Sequence, residues 1–208
     1  MKAIKHTIAG DMAHFKRFRS PLVQQSYKTI PISTVIGILK NIYGEDIKNF
    51  IFGYNFSYET SEFEVETIWK RSNVLAKIET PTQYPSQIEY LINPVLEILT
   101  IGLNDPIQLQ SNLNFGKTTC LAEIKFSECE VIKEQCLSKN VITLLNDGDG
   151  IIERQNIETY YDETIGAFRQ IAKPVRINQE FICDYTYDDK GIYLMKYKGV
   201  GEIECCKE

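Results

Sequence analysis

The chain has 208 residues, of which 43% are hydrophobic and 25% are charged, and its formal net charge is -5. This composition is ordinary for a folded protein and argues against a wholly disordered chain, while the length allows one large domain or two small ones. No apolar segment approaches the length of a membrane span, and the N-terminus lacks the apolar run of a signal peptide. We therefore expect a cytoplasmic protein without membrane attachment.

The six cysteines and two histidines indicate the expected redox state and metal content. No two cysteines are spaced as in a CxxC motif, and the scarcity of histidine argues against a structural zinc site. We expect reduced thiols, no metal and no cofactor.

Positive charge is concentrated at the N-terminal end. Residues 1–40 carry seven lysines and arginines and one aspartate, a net charge of +6. The other 168 residues carry 16 lysines and arginines against 27 acidic side chains, a net charge of −11. This asymmetry predicts that the N-terminal part meets a polyanion, and a chance cluster of surface cations is the alternative.

The first predicted elements are a strand and a helix. Lys2–Gly10 alternates in polarity, as a short strand does. After a polar connection, Pro31 and Ser33 are typical of a helix start and Gly44 of a helix end. The apolar face of this helix comprises Val35, Ile38, Leu39, Ile42 and Tyr43. Gly37 lies inside the helix, where glycine costs about 1 kcal/mol relative to alanine, so we expect a close backbone contact there.

Two segments, Phe50–Tyr58 and Phe63–Trp69, have clear strand patterns, and the short turn between them predicts an antiparallel hairpin. One face of the first strand is aromatic: Phe50, Phe52, Tyr54, Phe56 and Tyr58. Aromatic stripes bind bases in RNA-recognition sheets. However, Glu62, Glu64 and Glu66 alternate with the apolar side chains of the second strand, and they require water and repel phosphate. We therefore interpret the aromatic face as core and look for an RNA surface elsewhere.

The next elements complete an α+β unit. Glu89–Ile101 and Cys120–Ile132 have strand patterns, and Asp105–Asn114 fits a short helix. The order β-α-β-β, loop, β-α-β predicts a ferredoxin-like (RRM-like) antiparallel sheet with two helices over residues 1–134.

The sequence after Glu134 gives weaker strand signals. Apolar alternation recurs in Val141–Leu145, Glu180–Tyr187 and Ile192–Tyr197. We interpret residues 135–208 as a β-rich C-terminal extension packed on the first domain.

The common catalytic and nucleotide-binding motifs are missing, including GxSxG, GxxxxGK[ST], GxGxxG and HExxH. The segment NDGDGIIE resembles part of a calcium loop. However, Leu145 and Asn156 occupy positions where ligands are required, so we interpret the segment as a glycine-rich turn.

Histidine is the commonest acid and base in metal-independent RNA cleavage. His6 shares its strand face with Ile4 and Ile8, which predicts a packed side chain. His14 lies in the basic loop and is the better catalytic candidate, although a phosphate contact or a solvent-facing position is our preferred interpretation.

RNA binding has the strongest support from the residues themselves. The N-terminal loop interleaves cations with aromatic rings: Lys16, Arg17, Arg19 and Lys28 with Phe15, Phe18 and Tyr27. Cations bind phosphates and flat rings stack on bases, and the loop leads to a helix N-terminus, where free N–H groups favour phosphate. Lys117, directly after Gly116, extends this track.

The stretch FRSPLVQQSYKTIPISTVIGIL, followed by Tyr43 and Gly44, resembles the N-terminal signature of the fifth CRISPR-associated protein family. Members of this family are RAMP-superfamily subunits of type I Cascade surveillance complexes. Two later segments, IEYLINPVLEILTI and NFGKTTCLAEI, are similar to the same family. The resemblance covers roughly the first 130 residues.

This resemblance implies a RAMP-type ferredoxin-like fold with a protruding β-hairpin thumb, placed here within residues 69–88. It implies binding of the 5′ handle of CRISPR RNA, contact with the backbone and large subunits of Cascade, and only indirect contact with target DNA. By position, the resemblance places Arg17, Arg19, Tyr27, Ser33, Thr34 and Gly37 near the handle and Lys70 and Arg71 near the thumb. With the loop cations, the predicted RNA-binding set is His14, Lys16, Arg17, Arg19, Tyr27, Lys28, Ser33, Thr34, Gly37, Lys70, Arg71 and Lys117.

One branch of this family cleaves precursor RNA with a tyrosine, a lysine and a histidine, the last two adjacent in sequence. Here the only Lys-His pair is Lys5–His6, and residues 70–117 contain no histidine. The resemblance therefore implies the non-catalytic branch, and we expect no catalytic residues. Two alternatives remain: a metal-independent endoribonuclease using His14 or His6, and an unrelated α+β scaffold whose basic loop binds protein partners.

Overall fold

A computed structural model of the chain describes residues 1–17, 23–70, 82–103 and 112–206, without the side chains of 68–70 and 82–83. Within these ranges the chain forms one helix and fifteen strands. Their bounds are β1 Lys2–Gly10, β2 Met12–Ala13, β3 Val23–Gln24, α1 Ile32–Tyr43, β4 Phe50–Ser57, β5 Thr60–Lys70, β6 Thr82–Ile92, β7 Val95–Ile101, β8 Ala122–Glu130, β9 Cys136–Leu144, β10 Ile151–Asp162, β11 Ala167–Cys183, β12 Tyr185–Tyr187, β13 Lys190–Ile192, β14 Met195–Gly199 and β15 Glu202–Cys205.

The central element is an antiparallel sheet of six strands in the order β15-β14-β4-β7-β1-β8. Its N-terminal strand β1 has the predicted bounds, and β8 lies within the predicted strand Cys120–Ile132. The architecture is therefore α+β and rich in antiparallel sheet, as predicted.

The helix α1 covers one face of this sheet. It begins after Pro31, which has extended backbone angles, and ends at Gly44, whose φ of 99° suits glycine. The five predicted apolar positions of α1 are all buried, so the predicted helix is confirmed. The helix α1 has 12 residues and is too short to span a bilayer, so no helix in the described ranges can cross a membrane.

The opposite face of the sheet carries a second, smaller core. It contains Ala3 and Leu99 from the sheet, with Tyr187, Ile192 and Leu194 from the hairpin β12–β13 and the residues after it. The three-stranded sheet β10-β11-β9 packs through β10 on α1. The helix therefore lies between the six-stranded sheet and the C-terminal sheet.

The predicted hairpin between Phe50–Tyr58 and Phe63–Trp69 is wrong. The strand β4 pairs with β7 and β14, whereas β5 pairs with β6 in a separate four-stranded sheet. The short strands β2 and β3 also pair with β6, and the long pair of strands is hereafter called the β5–β6 ribbon. On β4 the aromatic core face is confirmed, since Phe50 and Phe52 are buried. On β5, however, Phe63 and Val65 are 52% and 69% exposed, because neither face of this ribbon strand is covered there.

The predicted single strand Glu89–Ile101 is divided into β6 and β7. Asn93 has a φ of 50° and is followed by Pro94, which has no N–H to donate, so the backbone turns between the two strands. The strand β6 belongs to the ribbon and β7 to the six-stranded sheet.

The predicted helix Asp105–Asn114 lies mostly outside the described residues, and residues 112–114 are not helical. The thumb predicted within residues 69–88 also lies partly outside them, between β5 and β6. Downstream, the predicted glycine turn at Asn146–Gly150 is confirmed: Gly148 has a φ of 85°, and the N–H of Gly150 donates to Asn178 Oδ1 at 2.8 Å.

Candidate nucleic-acid interface

The basic N-terminal loop folds back on itself. Tyr27 N–H donates to the Phe15 carbonyl at 2.8 Å, and Arg17 N–H donates to the Gln25 carbonyl at 3.0 Å. The intervening residues 18–22, which include the predicted site residue Arg19, lie outside the described ranges. Phe15 is buried, with its ring 5.6 Å from that of Phe56, so it anchors the loop and is not available to a base.

Arg17 and Tyr27 form a cation–aromatic pair on this loop. The guanidinium lies 6.0 Å from the centre of the Tyr27 ring, and one of its nitrogens is 3.1 Å from a carboxylate oxygen of Glu153 on β10. Burial and the nearby Glu153 raise the pKa of Tyr27, against the effect of Arg17. The Arg17 side chain is 44% exposed, so its outer edge faces solvent while Glu153 balances its charge.

Lys28 is held in the same way by an acidic side chain. Its ammonium lies 2.5 Å from Glu89 Oε1 and donates to Ser61 at 2.9 Å. Burial opposes ionisation of Glu89, but the hydrogen bonds from Lys28 and the Ser26 N–H outweigh it, so the pKa of Glu89 is lowered. Lys16, by contrast, is exposed on the loop.

Four side chains from distant parts of the sequence meet at the base of the β5–β6 ribbon: His14, Glu66, Tyr90 and Lys117, hereafter the His14 cluster. Lys117 donates to both carboxylate oxygens of Glu66, at 2.6 and 2.5 Å, and to the Tyr90 hydroxyl at 2.6 Å. The Tyr90 hydroxyl also donates to Glu66. The ring of His14 lies 5.8 Å from that of Tyr90.

The charges of the His14 cluster follow from these contacts. Burial opposes ionisation of Glu66, but the hydrogen bonds from Lys117 and Tyr90 lower its pKa overall. Burial and the bond to Glu66 raise the pKa of Tyr90 to about 12, so its hydroxyl stays protonated at neutral pH. At neutral pH the cluster therefore contains one ammonium, one carboxylate and a neutral phenol.

His14 is neutral and enclosed. It is 5% exposed, and Nδ1 donates to the Glu89 carbonyl at 2.8 Å, which leaves Nε2 unprotonated. Burial lowers the pKa of His14, and the neighbouring Lys117 and Lys16 lower it further. Among the described residues, Nε2 has no hydrogen-bond partner. Of the two predicted roles of His14, the solvent-facing position is therefore wrong, and the phosphate contact stays a prediction.

A glycine brings Lys117 to this position. Gly116 has a φ of 85°, and a Cβ there would lie 2.2 Å from the His14 carbonyl oxygen. His14 N–H donates to the Phe115 carbonyl at 3.0 Å, so the turn and the basic loop are directly joined. Only glycine fits this contact without displacing the backbone.

The helix contributes a separate, open surface. Thr34 and Gly37 line a groove of about 580 Å³ together with Asn114 and Gly116. Ser33 and Thr34 are half-buried and Gly37 is exposed. A Cβ on Gly37 would meet no described atom within 4 Å, so the close backbone contact expected at Gly37 is not found in the described part of the chain.

The structure thus brings together His14, Arg17, Tyr27, Lys28 and Lys117 around the loop, with the exposed part of α1 beside the Gly116 turn. The side chain of Lys70 and all of Arg71 lie outside the described residues. Sequence reasoning missed Glu66, Glu89 and Tyr90. Their local pattern predicts only a half-buried strand, and nothing in it identifies a lysine 27 to 61 residues away as a partner.

His6 takes no part in this surface. It is fully buried, with Nδ1 3.0 Å from the Ile98 carbonyl and Nε2 2.7 Å from the Tyr43 hydroxyl. Burial lowers the pKa of His6 to about 4. Its predicted packed role is confirmed. Within the described ranges, no group of three or more His, Cys, Asp or Glu side chains is placed to hold a metal ion.

Comparison with known proteins gives a structural likeness without a sequence match. No protein-family model matches the chain, and no curated protein matches its sequence. The fold is similar to that of a solved chain described as "CRISPR RNA-guided surveillance complex", with a TM-score of 0.54 and 10% identity. The alignment covers 86% of this chain and 91% of that one. At this identity the likeness shows the fold that the two chains share.

Proposed function

We propose that this chain is the subunit of a type I CRISPR RNA-guided surveillance complex that holds the 5′ handle of the guide RNA. Its partners are the guide RNA and the backbone and large subunits of the complex, and it meets target DNA only indirectly. The fold shared, over most of both chains, with a chain described as "CRISPR RNA-guided surveillance complex" supports this role.

The strand order is consistent with the proposal. Within the large sheet, β8-β1-β7-β4 has the order 4-1-3-2 of a ferredoxin-like unit, and α1 connects its first two strands in sequence. The β5–β6 ribbon leaves this unit between β4 and β7, where the family resemblance implies a thumb.

The observation that carries the proposal is the meeting of the basic loop with the Gly116–Lys117 turn. His14 is hydrogen-bonded to Phe115, which places Arg17 and Lys28 on the loop, and Lys117 on the turn, on adjoining segments. Cations spaced along such a surface bind consecutive phosphates, and Tyr27 and the open groove beside Gly37 offer surfaces for bases or sugars.

In the unbound chain, carboxylates already neutralise three of these cations. Arg17 pairs with Glu153, Lys28 with Glu89, and Lys117 with Glu66. RNA phosphates must displace or add to these partners, so we expect the isolated chain to bind RNA weakly and with strong salt dependence. Contacts with neighbouring subunits then supply the remaining affinity.

We propose that the chain does not cut RNA. A general base must reach the proton that it removes, and Nε2 of His14 is enclosed. An endoribonuclease is the second candidate, favoured by one observation: His14, Tyr90 and Lys117 lie together although they are far apart in sequence. Cleavage would require the loop to open and expose Nε2.

One experiment distinguishes these functions. Labelled repeat RNA is titrated with the purified chain in EDTA at several salt concentrations, and both binding and products are measured. We expect salt-dependent binding that falls in Arg17→Ala/Arg19→Ala but not in Lys139→Ala, an exposed lysine on β9.

Other results point to different functions. Unchanged binding in the arginine double variant excludes this loop as the site. A discrete product that is lost in His14→Ala replaces the binding role with the endoribonuclease. Failure to bind RNA or to co-purify with the other subunits on co-expression favours a protein-binding scaffold.

A further inference from the structure

Two cysteines in the C-terminal sheet face each other across a strand pair. In the antiparallel register of β9 and β11, Cys136 is the direct partner of Cys183, next to the pair Leu137 and Ile182. Directly opposed residues point to the same face of a sheet. Leu137 and Ile182 are 57% and 59% exposed on the outer face, so both cysteines lie on the inner face.

The backbone spacing suits a disulfide. Opposed residues in antiparallel strands have Cα atoms about 4.5 or 5.5 Å apart, and both values lie within the range of about 4.4–6.8 Å found across disulfides. Both cysteines are free thiols in the structure. Burial raises the pKa of the Cys183 thiol to about 11 and the nearby Cys136 adds to this, against a hydrogen bond from Ser138.

The two thiols differ in accessibility, which sets the order of reaction. Cys136 is half-buried and Cys183 is fully buried. An oxidant from solvent therefore meets Cys136 first, and the buried Cys183 is the resolving partner.

We propose that Cys136 and Cys183 form a reversible cross-strand disulfide when the chain meets a peroxide. The Cys136 thiol loses its proton and the thiolate attacks the peroxide, so that an S–O bond forms as the O–O bond breaks. The departing hydroxide takes up the released proton and leaves as water, which gives a sulfenic acid. The Cys183 sulfur then attacks this sulfur, an S–S bond forms as the S–O bond breaks, and the Cys183 proton leaves with the hydroxyl group as water. Two thiols lose two electrons and two protons, the peroxide is reduced to two waters, and a dithiol reductant reverses the bond.

The bond would lie where the C-terminal sheet meets the rest of the molecule. Ser138 donates to the Gly191 carbonyl at 2.9 Å, and a Cβ on Gly191 would lie 3.3 Å from that of Cys136. The same carbonyl accepts from Asn55 of the six-stranded sheet at 3.1 Å. A disulfide here closes a long chain segment and so restricts the unfolded state.

The test uses the reduced full-length chain, treated with hydrogen peroxide and then with an alkylating reagent. We expect the mass before alkylation to fall by about 2 Da, with one cross-linked peptide containing Cys136 and Cys183. We expect the melting temperature to rise by about 5 °C and to return after treatment with dithiothreitol. Cys129→Ser, which alters another partly buried thiol, is the matched control and keeps these changes.

Variants of the two cysteines test whether Cys136 and Cys183 form the disulfide. Cys136→Ser and Cys183→Ala should each abolish the cross-link and the temperature shift, and the half-buried Cys136 provides a usable variant even if Cys183→Ala does not fold. A cross-link that maps to other cysteines overturns the proposal. A mass gain from stable sulfinic acid at Cys136 without loss of the Cys183 thiol also overturns it.

Discussion

The ammonium nitrogen of Lys40 lies 2.6 Å from a carboxylate oxygen of Glu158, which joins α1 to the C-terminal strand β10. The same carboxylate accepts hydrogen bonds from the Tyr197 hydroxyl at 2.9 Å and the Gly201 N–H at 2.7 Å. Glu158 is 2% exposed, so a fully buried charge is satisfied by groups from three parts of the chain. This pair holds the C-terminal sheet on the helix that carries Thr34 and Gly37.

Removing one partner of this buried pair should destabilise the fold. We expect Lys40→Met to lower the free energy of unfolding by about 3–5 kcal/mol, because it leaves the Glu158 charge buried without a counter-ion. Lys40→Met/Glu158→Gln should recover part of the loss, since the neutral amide still accepts from Tyr197 and Gly201. Urea unfolding measures both effects.

The exposed pair Lys198–Glu204 is the matched control for that prediction. Its side chains are 43% and 46% exposed, so Lys198→Met should cost less than about 1 kcal/mol. If Lys40→Met and Lys198→Met lowered the free energy of unfolding equally, this result would contradict the anchoring role of Lys40.

Releasing Arg17 from its carboxylate should strengthen RNA binding. Glu153→Gln removes the charge 3.1 Å from the guanidinium, which is 44% exposed, whereas Glu153 is 15% exposed. An ion pair near the surface is worth up to about 1 kcal/mol, or about fivefold in affinity. Fluorescence anisotropy with repeat RNA measures the change. Glu163→Gln, at the exposed turn between β10 and β11, removes the same charge away from the loop and should have little effect. Equal gains in both variants would indicate a general charge effect instead of a local one.

Alanine at Gly116 should damage the site and the fold together. The residue has a φ of 85°, and a Cβ would meet the His14 carbonyl oxygen at 2.2 Å, so we expect a loss of about 1–3 kcal/mol in stability. The displaced turn should also move Lys117 and weaken RNA binding. A Gly116→Ala variant with unchanged melting temperature and unchanged RNA affinity would show that this contact is unimportant.

Alanine at Gly37 should change the stability of the chain and its affinity for RNA in opposite directions. The position is helical and has open space around it, so Gly37→Ala should stabilise the chain by up to about 1 kcal/mol. If RNA lies in the groove beside Gly37, the added methyl group should nevertheless lower the affinity for repeat RNA. Thermal unfolding and anisotropy on the same samples measure the two effects. Increased stability with unchanged affinity would place the RNA away from this groove.

The buried His6 should make the fold acid-sensitive. Its folded pKa is lowered from 6.5 to about 4, so the unfolded chain binds the proton more readily. The contribution of neutral His6 to the free energy of unfolding is therefore fully present above pH 6.5 and is lost progressively as the pH falls toward 4. The total loss is about 3 kcal/mol. His14 acts in the same direction, because its pKa is also lowered.

The variant His6→Gln measures how much of the acid-induced loss of stability is due to His6. His6→Gln does not titrate, so its stability should fall less than that of the wild type between pH 6.5 and 4. Urea unfolding at each pH gives the difference, and an NMR titration reports the His6 pKa directly. A measured pKa near 6.5 would contradict the buried, neutral state of His6.

Much of the sheet and helix could be predicted from local patterns, but the pairing of strands could not. The alternation in β1 and the apolar spacing in α1 identify both elements, and the aromatic face of β4 is core as expected. The same reasoning paired β4 with the strand after it, although β5 pairs with β6. A short polar turn allows a hairpin but does not require one. In the structure β4 instead lies between β7 and β14, where Phe50 and Phe52 are buried.

The candidate site was predictable only as a set of cations. The loop sequence identifies Lys16, Arg17 and Lys28, but not that Arg17 and Lys28 are paired with carboxylates from β10 and β6. The absence of a histidine near Lys117 in sequence argued against a catalytic cluster. The fold nevertheless places His14 beside Lys117 and Tyr90, and then encloses its reactive nitrogen.

By itself the sequence determined the elements whose signals are local: β1, α1 between Pro31 and Gly44, and the basic loop before the helix. Periodicity and backbone preferences act over a few residues, so they can be read directly from the chain. Only the tertiary structure decided that His14 meets Lys117, that Lys40 meets Glu158 and that Cys136 faces Cys183. These contacts join residues 47 to 118 positions apart, and they depend on how sheets and helix close around a shared core.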